Sequence, residues 1–441
     1  MIVGICVGSG IFFKVGSILA FTGGNVLLGV LVFFIGALCI IFGSLSLTNL
    51  ASRTTKNGGM VAYFEDFYSN SMASAFGWYQ TFLYYPTIAV VVSWAAGIYT
   101  TLLLNLPQTI DIQMGIGFLY MLLFYSINIY SKDFAGKFQI ISTITKLIPL
   151  IGIGLLALFW TKEPPAIPSG VEAVPVSNVG WGWVAALAPM AFSYDGWPIA
   201  LSISNEVKGG HETMKKALFF GPIIVLAVYL CYFLGLTAIL GPEYILSTGE
   251  EAVMAVGNMI LGSYGEIIIL MFILIALFGV INGVTLGHIR MPYALATKDM
   301  MPESQKIIQS YEGTKKAHTS ALIAFLVSIG WFVIHYTTQR FNLIGAGDVS
   351  EIAIVFGYLW YIALYVKVFQ MFMKKQITDV FTGFISPILA ILGGLIILFG
   401  GFHESPYSTA FFFLICSLFC ISGFMCYKYN KKHNLEVNHV D

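Results

Sequence analysis

Two short stretches hold the residues that could do chemistry in this sequence. The first is Gly8-Ser9-Gly10, set between the apolar runs Met1-Ile2-Val3-Gly4-Ile5-Cys6-Val7 and Ile11-Phe12-Phe13. The second is Phe192-Ser193-Tyr194-Asp195-Gly196-Trp197, with Pro189 before it and Pro198 after it. Glycine and proline weaken a helix. In lipid, an opened helix exposes N–H and C=O groups that find no solvent partner, so an opening is stable only where it lines a cavity or is packed in protein. The chemistry on offer is ligand binding. Free N–H groups at a helix start face a negative group, and free carbonyls face a positive one. Two interrupted spans in corresponding halves point to a transporter's substrate site. The plain alternative for Gly8 and Gly10 is close helix packing.

The elements that must position these stretches are membrane helices. Of the 441 residues 58% are hydrophobic and 10% charged, with mean hydropathy +0.83. Soluble domains carry roughly a quarter charged residues, so composition indicates an all-α, polytopic membrane protein. Twelve apolar runs have spanning length, near 1–21, 25–51, 74–104, 113–131, 137–161, 181–204, 216–241, 262–288, 317–337, 349–372, 380–401 and 407–428. Only seven residues precede the break in span 1, so the start of that span and a cytoplasmic tail are expected to be missing. Asn57-Gly58-Gly59 opens a short stretch, Met60 to Tyr68, expected to be an interfacial helix.

Of the 22 lysines and arginines, 18 fall in the connections on the side of the N-terminus. Lys162 and Arg340 fall on the other side, and Lys14 and Lys146 lie within spans. The positive-inside rule then puts both termini in the cytoplasm of a plasma-membrane protein. Net charge is zero and no basic tract suggests nucleic acid. The six cysteines sit in apolar runs without metal-ligand spacing, so no metal or other cofactor is expected. The seven histidines read as lying at span ends, in loops or on the tail, without ligand spacing. A nucleophile–base pair and the rings of a channel filter are both missing from the pattern, which argues against an enzyme or a channel.

Asp195 is an intramembrane carboxylate, a functional hypothesis by default; the alternative is that it bonds local backbone or Ser193 and stabilises the break. Lys146 is about nine residues from Lys137, or roughly 13 Å along a helix, too deep to reach the interface easily. It must pair, face water, or lose its charge.

Gly8-Ser9-Gly10-Ile11-Phe12, Asn57-Gly58-Gly59, Lys146, the span 6 motif and Gly279-Val280-Ile281-Asn282-Gly283 together resemble the L-type branch of the amino acid–polyamine–organocation superfamily. Among bacterial members the chain is similar to the serine/threonine and the alanine–serine–cysteine exchangers. The resemblance implies a LeuT-like fold, with broken helices 1 and 6. Residues 1–161 (spans 1–5) and 181–372 (spans 6–10) would form an inverted repeat. Spans 11 and 12 (380–428) would be peripheral and 429–441 a cytoplasmic tail.

It also implies roles. The substrate carboxylate meets Ser9 and the N–H groups of Gly10 and Ile11, next to Gly8. The ammonium meets carbonyls of Cys6, Phe192 and Asp195 beside Ser193 and Tyr194. Phe192 closes over the substrate as a lid. Lys146 replaces a sodium ion, and Tyr229 and Asn282 are weaker gating candidates. The expected function is sodium-independent exchange of small neutral L-amino acids (alanine, serine, cysteine, glycine, threonine); the alternatives are a proton-coupled symporter with Lys146 titrating, or an amino acid sensor. The sequence departs from many relatives at Glu206-Val207-Lys208-Gly209-Gly210. It also lacks a cysteine between spans 3 and 4 (Asn105 to Gln113), so no disulfide-linked heavy subunit is expected.

Overall fold

The computed structural model describes residues 6–54, 56, 58–130, 132–197, 210–314, 317–344 and 347–437. Asn57, Pro198 and the Glu206 to Gly209 stretch therefore lie outside the described residues, as do Met1 to Ile5. Among the described residues ten helices are long and apolar enough to cross a membrane. They are span 2 (Val26–Ala51), span 3 (Asn70–Leu103), span 4 (Ile110–Tyr130) and span 5 (Lys132–Ala157), then span 7 (Gly210–Leu240) and span 8 (Ser263–Ala296). Span 9 (His318–Arg340), span 10 (Val349–Met373), span 11 (Phe381–His403) and span 12 (Pro406–Val437) complete them.

The remaining two expected spans are the shortened ones. Among the described residues span 1 is helical at Cys6, interrupted at Val7 and Gly8, and helical again over Ser9–Phe21. Span 6 enters through a 3-10 turn, Gly180–Ala186, and continues as Leu187–Ser193. The chain is thus a multi-pass membrane protein of the expected all-helical class. Span 1 packs on span 6, span 2 on span 7 and span 3 on span 8, while span 12 packs on span 3 and span 11 on span 2. The short helix Met60–Phe67 forms as expected, but Met60 to Phe64 are buried rather than laid along an interface.

Span 3 carries a local defect with a clear cause. Pro86 has no N–H to offer the carbonyl of Phe82, and the helix widens into a π-turn over Gln80–Tyr84. The freed carbonyls find side chains: Trp331 Nε1 donates to Phe82 O at 2.6 Å, and His288 Nε2 to Thr81 O at 2.7 Å. A carbonyl only accepts, so His288 carries its proton on Nε2 and accepts at Nδ1 from the Tyr125 hydroxyl, 2.6 Å away. This corrects the reading of the histidines as peripheral. Span 8 runs on to Ala296, which puts His288 wholly inside, and His335 is equally buried against Trp94.

On the face that holds the loops after spans 2 and 8, Lys56 pairs with Glu65 (2.6 Å) and Asp66 (2.9 Å), and Lys298 with Glu65 (2.5 Å). Partial burial pushes the Glu65 carboxyl up, but hydrogen bonds from Lys298 and Lys56 outweigh it and hold the group below the ordinary range.

Candidate functional site

Both expected openings are present, and they meet. The chain is not helical at Val7 and Gly8, and the helix that starts at Ser9 has no side-chain cap on Gly8. The first-turn N–H groups of Ser9, Gly10 and Ile11 therefore have no intrahelical acceptor. Ser9 is described in its backbone only. Span 6 opens after Ser193 into a turn over Tyr194 to Trp197, where Gly196 sits at φ +93°, a conformation that L side chains rarely adopt. At the crossing, a Cβ on Gly10 would collide with the backbone of Ser193. Gly10 therefore serves close packing as well as the opening.

Tyr229 of span 7 ties the two breaks together. Its hydroxyl lies 2.7 Å from the carbonyl oxygen of Cys6 and 2.5 Å from that of Ser193. One hydroxyl has one proton, so at any moment it satisfies one carbonyl and leaves the other able to accept from a ligand ammonium. Tyr229→Phe should orphan both carbonyls and cost about 1–3 kcal/mol. A melting temperature in detergent equal to that of the unaltered protein would contradict this.

The neighbours divide by role. Tyr194 turns away from the breaks and donates to Phe33 O at 3.1 Å, so it anchors span 6 to span 2. Asp195 accepts from the Tyr84 hydroxyl at 2.5 Å, a residue delivered by the π-turn of span 3. Lys146 of span 5 is fully buried and within electrostatic reach of Cys6, the residue before the span 1 break. Asn282 is buried where span 8 meets span 4, and its carbonyl accepts from Asn128 Nδ2 at 3.3 Å. Trp197 packs edge-on against Tyr361.

Sequence reasoning missed a second group of charges. Lys14 of span 1 is 2.5 Å from Asp348 and 2.8 Å from Glu351, all three buried. Its ammonium also lies 5.2 Å from the centre of the Phe192 ring. Asp348 caps span 10 as well, accepting from the N–H groups of Ser350 and Glu351. The signal in the sequence was Lys14 itself, since an intramembrane lysine requires a partner. Beyond this group a cavity of about 340 Å³ opens, lined by Lys14, Trp94, Gln113, Glu250, Gln339 and Asp348. Desolvation at its wall raises the Glu250 carboxyl above its ordinary value. Phe192 is buried, with its ring against the Lys14 ammonium that lines this cavity.

An amino acid permease family model matches residues 1–427. The serine/threonine exchanger SteT of Bacillus subtilis is 27% identical over 405 residues, covering 90% of this chain and 88% of that protein. The human Asc-type amino acid transporter 1 is 24% identical over 335 residues, 75% of this chain and 62% of that protein. The human large neutral amino acids transporter small subunit 2 is 24% identical over 313 residues, 68% and 57% of the two chains. The chain spans less than two thirds of the length of both human relatives.

Proposed function

The chain belongs to the amino acid permease family, and from that premise we propose that it exchanges small neutral L-amino acids by sodium-independent alternating access. The observation that carries this reading is the Tyr229 hydroxyl shared between the carbonyls of the two breaks. Around it lie first-turn N–H groups without an intrahelical acceptor, suited to a carboxylate, and carbonyls suited to an ammonium, as an α-amino acid requires. In this reading the Ser9, Gly10 and Ile11 N–H groups hold the carboxylate, and carbonyls of Cys6, Phe192 and Asp195 share the ammonium. Phe192 separates the site from the cavity above Lys14 and acts as the lid.

Sodium independence is read from Lys146, a buried lysine within electrostatic reach of Cys6 that in this reading takes the place of a monovalent ion beside the span 1 carbonyls. The pairing of span 1 with 6, 2 with 7 and 3 with 8 is what two halves related by inversion would produce. The lysine and arginine bias favours cytoplasmic termini. The preference for small side chains leans on the serine/threonine exchanger among the relatives. The loop between spans 3 and 4 offers no cysteine for a disulfide-linked subunit.

The test is uptake of labelled L-alanine into proteoliposomes with and without unlabelled alanine inside, in sodium and in choline buffer. Uptake should need internal amino acid and be indifferent to sodium. Equal uptake into empty vesicles rules out obligatory exchange, and leucine or tryptophan competing as strongly as alanine rules out the small-substrate preference.

A further inference from the structure

Asp195 is a buried-site carboxylate with an uncommon set of neighbours. Its carboxylate accepts from the hydroxyl of Tyr84 at 2.5 Å. The titratable groups within electrostatic reach are Tyr79, Tyr84 and Tyr85 on span 3, Tyr358 and Tyr361 on span 10, and Cys6 on span 1. All are neutral near neutral pH. No lysine, arginine or histidine among the described residues compensates the charge. Lys146, the other ionisable group by the breaks, faces Cys6, and Lys14 is held by two carboxylates of its own.

An ionised carboxylate left in such surroundings is costly, and it is neutralised by a cation or by a proton. Asp195 also keeps partial exposure, whereas Ser193 and Tyr194 before it are almost completely covered. To exchange a proton, its carboxylate must meet water when the site opens. The π-turn that delivers Tyr84 is the kind of helix defect often found at functional positions.

We propose that Asp195 is a proton-binding site, loaded from water on the side to which the substrate site opens and discharged on the other. The step is COO⁻ plus a proton from bulk water giving COOH, and its reverse; no electron moves and no further reactant is needed. Amino acid movement is then linked to pH through Asp195. Tyr84 is the positioning residue, since its hydroxyl favours the ionised form. The link to transport rests on the transporter reading above, and the proton site itself does not.

The experiment has two arms on the purified full-length protein. Infrared difference spectra in detergent, between acid and alkaline buffer, should show a protonated-carboxyl C=O band. That band should be lost in Asp195→Asn and should persist to more alkaline pH in Tyr84→Phe, where the carboxylate lacks a donor. In alanine-loaded proteoliposomes, a trapped pH dye should report proton movement with labelled alanine uptake, and Asp195→Asn should abolish it. A band that survives Asp195→Asn, or one that Tyr84→Phe leaves in place, overturns the proposal. Uptake without any proton movement overturns the link to transport. An Asp195-dependent band in a protein that moves no amino acid supports the proton site and removes the transporter reading instead.

Discussion

Replacing Lys14 by methionine is expected to be among the most damaging single changes in this protein, at about 3–5 kcal/mol. The group holds one positive and two negative charges, Lys14 against Asp348 and Glu351, with separations of 2.5 and 2.8 Å and side-chain exposures of at most 4%. Removing the lysine leaves two buried carboxylates facing one another, and each must be protonated or hydrated. Removing one carboxylate instead brings the group to neutrality, so Glu351→Gln should cost far less. Asp348→Ala falls between, because the cap on Ser350 and Glu351 is lost with the charge, worth about 0.5–2 kcal/mol. Thermal unfolding in detergent gives this order directly. Equal losses in Lys14→Met and Glu351→Gln would show that the charge balance does not govern the group. Labelled alanine exchange should fall in parallel for Lys14→Met, since Lys14 also sits over the Phe192 ring.

The breaks are legible in the sequence because their causes are local. Glycines at 8, 10 and 196 and Pro189 weaken helices within a turn or two of where they stand, and apolar run length marks each span. The Lys14 group is not legible in that way. Its partners lie 334 and 337 residues further on, and although Asp348-Val349-Ser350-Glu351 before an apolar run reads as a helix cap, nothing local marks the two acids as buried against a lysine. Lys146 is intermediate: its depth follows from counting residues, while its nearness to Cys6 depends on tertiary packing. Tyr194 and Tyr229 show the same limit. Both are tyrosines on apolar helices, yet one hydroxyl reaches back to span 2 and the other bridges the two breaks. His288 was misplaced because span 8 continues past the point where its hydropathy falls, held by Ser320, whose hydroxyl donates to Ile289 O at 2.6 Å.

Gly10→Ala should abolish alanine exchange, and Gly16→Ala on the same helix provides the control. A Cβ at Gly10 would run into the Cα of Ser193, which is backbone and cannot rotate aside. Spans 1 and 6 would have to separate at their crossing, and the shared Tyr229 hydroxyl could then reach only one of the two carbonyls. A Cβ at Gly16 meets nothing within 4 Å. There alanine should stabilise the helix by about 0.5–1 kcal/mol and leave exchange intact. Two readouts separate packing from chemistry. If Gly10→Ala lowers the melting temperature and exchange together, the crossing is a structural contact on which the site depends. If exchange is lost at an unchanged melting temperature, the small change in separation acts on substrate geometry alone. Exchange at the normal rate in Gly10→Ala would mean that spans 1 and 6 are not in close contact in the transporting protein. The ligand geometry built on that crossing would then have to be abandoned.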